Sequence, residues 1–127
     1  MQLSFEYDRS YFPAFPILEL TISNASGGSE QIIQGLIDSG SDITQIPASI
    51  LKTINAREID DRWIRDASGL RYPVNIYIIQ LKIGSLIMPT IEVVGRNGTN
   101  EIIIGRDVLN QFIVTLNGLA HVTEIHD

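Results

Sequence analysis

The chain has 127 residues, of which 44% are apolar and 19% charged, a globular composition that fills one domain and excludes both a disordered chain and two large domains. Nine basic against fifteen acidic residues leave a net charge of −6, which argues against non-specific nucleic-acid binding. The absence of cysteine excludes a disulfide framework, a thiolate metal site and a cysteine nucleophile.

The first fourteen residues, ending in Phe12-Pro13-Ala14, read as an arm or extra strand, with one domain over residues 15–127. Met1 to Ser10 lacks an apolar signal core, and no apolar run of about 18 residues follows. The expectation is a cytoplasmic protein without a membrane span. Leu18, Leu20 and Ile22 alternate with Glu19, Thr21 and Ser23, so Ile17–Ser23 reads as a strand. The polar Asn24–Ser29 cluster turns the chain into a return strand over Gln31–Ile37.

Asp38–Ser41 follows as a loop. Pro47–Ile54 reads as a short helix with Pro47 in its first turn and Ile46, Ile50, Leu51 and Ile54 on its apolar side. Trp63–Asp66 leads into a turn at Ala67-Ser68-Gly69. Tyr72–Ile83 is the longest β-rich run, and Gly84-Ser85 ends it. Strands are expected at Pro89–Val94 and at Glu101–Ile104, the latter central and covered on both faces. Arg106–Phe112 has room for a helical turn or two. Ile113–Leu116 and Leu119–Ile125 flank Asn117-Gly118, a strong hairpin dipeptide. The pattern is a small all-β barrel or sandwich with one or two short helices.

Two segments carry chemistry. Leu36-Ile37-Asp38-Ser39-Gly40-Ser41 puts a carboxylate directly after a buried strand, with Gly40 for close backbone approach or positive φ and hydroxyls on Ser39 and Ser41 to orient it. Taken alone, this triplet reads as a turn. Ile102-Ile103-Ile104-Gly105-Arg106-Asp107 is an apolar strand that stops at glycine before a helical stretch. Together, in this order and with a hairpin before the first, the two segments resemble the retropepsin-like aspartic proteases, across roughly Phe15 to Leu116.

The resemblance implies an all-β retropepsin-type fold and an aspartic endopeptidase acting on polypeptides. Asp38 matches the catalytic aspartate. Peptide hydrolysis by carboxylates needs two of them, one as general base and one as general acid. The chain has one Asp-Ser-Gly triplet, so the second carboxylate is expected from another copy in a C2 homodimer. Ser39 matches a position whose hydroxyl bonds across the dimer, and Gly40 one whose carbonyl meets substrate backbone. Asp42 and Arg106 match an ion pair that braces the loop, expected here as bidentate and partly buried. Asp107 reads as structural, at a helix start.

Trp63–Pro73 matches the flap, with Asp66, Ala67, Ser68 and Gly69 at its tip, although an ordinary surface hairpin has the same pattern. Leu36, Ile43 and Ile103 match subsite positions, and Ile103 reads equally as core. The tip has fewer glycines than retroviral flaps, and Phe15-Pro16 stands where retroviral enzymes carry Arg-Pro. Retroviral chains stop near Leu116 and interleave their termini. The extra tail here leaves open a fold-back within its own subunit and a different or weaker dimer interface. No cofactor and no metal are expected, since His121 and His126 read as solvated tail residues. The alternatives are a catalytically silent dimerisation or peptide-binding module of the same family, and an unrelated ligand-binding barrel.

Overall fold

A computed structural model describes all 127 residues. The chain opens with strand β1 (Gln2–Glu6), then forms the hairpin of β2 (Ile17–Asn24) and β3 (Gln31–Ile37). In β2 the sequence alternation becomes burial: Leu18, Leu20 and Ile22 are buried and Glu19 is exposed. The turn between them closes on Asn24, whose side chain accepts the Ser26 N–H at 2.9 Å, and two glycines at positive φ, Gly27 and Gly28, complete it.

Strand β4 (Gln45–Pro47) runs directly into helix α1 (Ala48–Thr53). Ile46 therefore belongs to a strand, not to the helix, and Pro47 is the helix N-cap rather than a first-turn residue. The next hairpin pairs β5 (Arg57–Arg65) with β6 (Arg71–Ile83), and a second joins β6 to β7 (Leu86–Arg96) across Gly84-Ser85. Strand β7 thus starts before Pro89 and runs past Val94. Most of β5 escapes sequence reading because eight of its nine residues are exposed and six are charged, which leaves no apolar alternation to detect.

Strand β8 is only Ile103–Ile104, and helix α2 only Arg106–Leu109. The C-terminal hairpin pairs β9 (Ile113–Asn117) with β10 (Val122–His126). Its turn is not the Asn-Gly dipeptide. Asn117 is the last ladder residue, paired with Val122, and its side chain accepts the Ala120 N–H at 3.0 Å. The left-handed residue is His121, with φ 54°. Leu119 projects fully exposed from this longer loop rather than starting the strand.

Two sheets result. One has order β2-β3-β8-β4-β7-β6-β5, and an added β2–β6 pairing closes its first six strands into a barrel with β5 outside. The other has order β1-β10-β9, so the first strand pairs with the last strand of the same chain. The barrel interior is one cluster of 17 buried residues, among them Leu20, Ile79, Leu81, Ile83 and Ile104. No helix is long and apolar enough to cross a membrane.

Strand β6 serves two cores. Ile79, Leu81 and Ile83 point into the barrel, whereas Val74 and Ile76, of the opposite parity, form a second cluster with Val94. Beside this switch β5 carries one extra residue, Ile59, in its register with β6. A bulge of this kind bends and twists the strand it interrupts. The smaller cluster supports Ile43 and Ile64, and so reaches the cleft described next.

Candidate active site

Asp38 is held by backbone before any side chain acts. The N–H of Leu36 donates to the Ile102 carbonyl at 2.8 Å, and that of Asp38 to the Ile104 carbonyl at 3.0 Å. The parallel β3–β8 pairing thus brings the two sequence segments together at their ends. The chain then turns sharply: the Ser41 N–H donates to the Asp38 carbonyl at 3.1 Å, and the Gly40 N–H to Asp38 Oδ1 at 2.9 Å. Gly40 does not adopt positive φ. Its role is close approach, since a Cβ there would stand 3.1 Å from Asp38 Oδ1.

Gly105 is required more stringently. A Cβ would meet the Ser41 carbonyl oxygen at 2.8 Å and the Ile43 carbonyl carbon at 2.9 Å, both backbone atoms that cannot step aside. With no side chain in the way, the Arg106 N–H donates to the Ser41 carbonyl at 2.9 Å. The Arg106 guanidinium then spans the loop. Its Nη1 donates to the Ser39 carbonyl at 2.7 Å, and its Nη2 pairs with Asp42 Oδ1. The pair is neither bidentate nor buried, because the second arm is spent on a carbonyl and the two side chains are 44% and 85% exposed.

One member of the site was missed in the sequence. Thr44 is fully buried, and its N–H and hydroxyl donate to the two oxygens of the Asp107 carboxylate at 3.0 and 2.8 Å. The same hydroxyl accepts the Gly105 N–H at 3.2 Å. Asp107 also accepts the Val108 N–H at 2.9 Å, within the first turn of α2. Asp107 is structural, as its position suggested, and it acts by tying α2 to the strand that follows the Asp38 loop. A lone threonine between Ile43 and Gln45 carries no local signal of this role.

A cleft of about 590 Å³ opens over the loop. Asp38, Gly40–Ile43 and Gln45 form one side, and the β5–β6 hairpin contributes Trp63–Ala67 and Tyr72 to the other. Of the three subsite positions read from sequence, Ile43 lines this cleft. Leu36 is buried, and Ile103 lies half-buried in the β8 ladder. The Ser39 and Gly40 residues are exposed at the loop apex, as is Asp38.

The hairpin tip is a built turn. Asp66 Oδ1 accepts the Ser68 N–H, the Ser68 hydroxyl and the Leu70 N–H at 2.9, 2.6 and 3.0 Å. These bonds, the Ser68 hydroxyl first, hold the Asp66 carboxyl below its ordinary range. A single glycine, Gly69 at φ 87°, supplies the left-handed residue. Beside the tip the Arg71 guanidinium lies 5.6 Å over the Trp63 ring. The two histidines stand far along the chain from this cleft, His121 stacked on Tyr7 and His126 in β10.

No protein-family model and no curated protein matches the sequence. The solved structure of a retropepsin-like aspartic protease from Rickettsia conorii does match, with a TM-score of 0.68 at 9% identity, over 98% of this chain and 90% of that one. The chain has the retropepsin-like fold. Within that fold, Asp38–Ser39–Gly40 and Gly105–Arg106–Asp107 are neighbours joined by β3–β8 pairing, and the β5–β6 hairpin shares a cleft with the Asp38 loop.

Proposed function

We propose that the chain is one subunit of a homodimeric aspartic endopeptidase in which Asp38 and its symmetry mate activate water on a peptide bond. The observation that carries this reading is the setting of Asp38. It leaves a barrel strand, is fixed by the Ile104 carbonyl, and faces a cleft roofed by a hairpin in a retropepsin-like fold.

Two carboxylates a few ångströms apart cannot both ionise easily, so the dyad holds one proton between them. The ionised carboxylate takes a proton from water as its oxygen attacks the carbonyl carbon. The protonated one donates to the carbonyl oxygen, which gives a tetrahedral diol. Collapse breaks the C–N bond, and a proton passes to the leaving amine. The Gly40 N–H donates to Asp38 Oδ1 and so holds the carboxylate in one orientation. The β5–β6 hairpin acts as a flap that closes over an extended substrate and excludes solvent. Ile43, Ile64 and Trp63 supply apolar walls, so the cut is expected between or beside apolar side chains. No cofactor is needed.

The test is cleavage of a diverse peptide mixture, read by mass spectrometry at about pH 4 to 7, where such a dyad retains one proton. Wild type and Asp38→Asn are compared at high protein concentration. Cleavage by wild type alone supports the proposal. Cleavage by neither, from protein shown to be dimeric, overturns it in favour of a peptide-binding module.

A further inference from the structure

Four of the chain's nine basic residues, Arg57, Arg62, Arg65 and Arg71, stand on the β5–β6 hairpin. Arg62 pairs with Asp60 and Glu92, and elsewhere Lys82 and Arg106 have carboxylate partners. Arg65 and Arg71 have none, and they stand directly opposite each other in the β5–β6 register. Cross-strand partners have Cβ atoms about 4.5–5.5 Å apart, and like charges so placed repel. Two exposed guanidinium groups are thus anchored side by side in a chain of net charge −6, at a cost that no carboxylate of the subunit offsets.

The acids nearest in sequence are engaged or distant. Asp66 is turned into the hairpin tip, where it accepts the Ser68 and Leu70 N–H groups. Asp61 lies back along β5 by about 13 Å at the rise of an extended strand. Residues opposite each other in a ladder share a face, so Trp63, Arg65, Arg71 and Pro73 form one face of the hairpin, and Ile64 and Tyr72 the other. Ile64 packs on the small Val74–Ile76–Val94 cluster. Trp63, on the opposite face, is 62% exposed, and the Arg71 guanidinium lies over its ring. That stacking restrains Arg71. The guanidinium hydrogen bonds of the chain come from Arg62 and Arg106, so the N–H groups of Arg65 and Arg71 are free for another acceptor. Trp63 and Arg65 also line the cleft over Asp38, so this cationic face meets the cleft at its rim.

We propose that Arg65 and Arg71 form a subsite for an acidic side chain of the polypeptide substrate, so that preferred substrates carry a glutamate or aspartate flanking the apolar residues at the cut. The inference rests on the peptidase reading above and narrows its substrate class. Two planar N–H forks match the oxygens of a carboxylate, and an anion between them also relieves the repulsion of the two cations. A basic side chain at the same place adds to that repulsion.

Trp63 is the chain's single tryptophan and stands within the subsite, so binding is readable without cleavage. Asp38→Asn protein is titrated at about pH 7, where glutamate is ionised, and Trp63 fluorescence is followed. The peptides are C-terminally amidated, share an apolar centre, and carry one Glu, Gln or Lys at each flanking position in turn. The amide cap leaves the side chain as the only added carboxylate. At one flanking position Glu is expected to bind at least about fivefold tighter than Gln, with Lys weakest, and the preference is expected to shrink as salt is raised. Arg65→Gln and Arg71→Gln are each expected to bring that preference below about twofold. Arg57→Gln, at the far end of β5, is expected to leave it unchanged. Equal affinity for Glu and Gln at every position, no saturable binding of any peptide, or a preference that survives both substitutions overturns the inference. Cleavage of the same peptides by wild type separates this from the functional reading. Glu-selective binding without cleavage keeps the subsite and removes the protease, whereas cleavage indifferent to Glu keeps the protease and removes the subsite.

Discussion

The Arg106 guanidinium donates to the Ser39 carbonyl at 2.7 Å while its other arm pairs with Asp42, so one side chain grips both flanks of the Asp38 turn. Because both charges are solvent-exposed, the ion pair itself is worth at most about 1 kcal/mol. Its value lies in holding geometry. Arg106→Ala is expected to lower unfolding free energy by only about 1–2 kcal/mol, yet to cut kcat/KM at least about tenfold through a misplaced carboxylate. Arg106→Lys keeps the charge but not the fork, and should recover stability better than activity. Chemical denaturation and peptide kinetics on the same samples check this.

Asp38→Asn should be a clean probe of chemistry. The side-chain oxygen that accepts the Gly40 N–H is retained by asparagine, and the residue is exposed, so stability should change by less than about 0.5 kcal/mol. Cleavage should fall by at least about a hundredfold, the scale of lost general acid–base catalysis. Thermal unfolding of the variant beside wild type, with the peptide assay, gives both numbers.

Thr44→Val removes a buried hydroxyl that serves both Asp107 and Gly105. The cost is expected to be about 1–3 kcal/mol, because the Gly105 N–H and one Asp107 oxygen lose a partner away from water. Asp107→Ala and the double variant complete a cycle. A coupling near zero between the two positions would show that they do not act as a unit.

The tip of the β5–β6 hairpin gives a pH prediction. Asp66 has a lowered pKa, chiefly through the Ser68 hydroxyl, so its contribution is present above the ordinary carboxylate pKa and is lost as pH falls through the lowered value. The turn should therefore stay intact across the mildly acidic range used for cleavage and loosen only in stronger acid. Asp66→Ala should loosen it at every pH, with KM raised more than kcat is lowered. Amide exchange at Ser68 and Leu70, whose N–H groups Asp66 accepts, reads the turn directly.

What could be read in the sequence was what is local. The alternation in β2 and the apolar run of β6 gave strands, because each encodes its own geometry in adjacent residues, whereas the Asp38 and Arg106 segments pointed to a candidate site only as a pair, and the β3–β8 pairing does bring them together. Strand β5 was largely hidden, since a strand outside the barrel has no buried face to impose a period. The Asn117-Gly118 dipeptide misled about the last turn, because the β9–β10 register places Asn117 in the ladder and gives the left-handed position to His121. Thr44 was silent because its importance comes from Asp107, distant in sequence and adjacent only after folding. The change of parity in β6 was equally invisible, as it depends on which of two cores each half of the strand meets.

The pairing of Gln2 with His126, reinforced by the Met1 ammonium on Asp127, brings the two ends of the chain side by side. The β1–β10 ladder joins segments separated by nearly the whole polypeptide, so closing it carries a large loop-closure entropy. Once formed, it makes the polypeptide close to a ring. A short linker between the ends, with a new opening in the exposed Gly27-Gly28 turn, would circularly permute the chain without rerouting a strand.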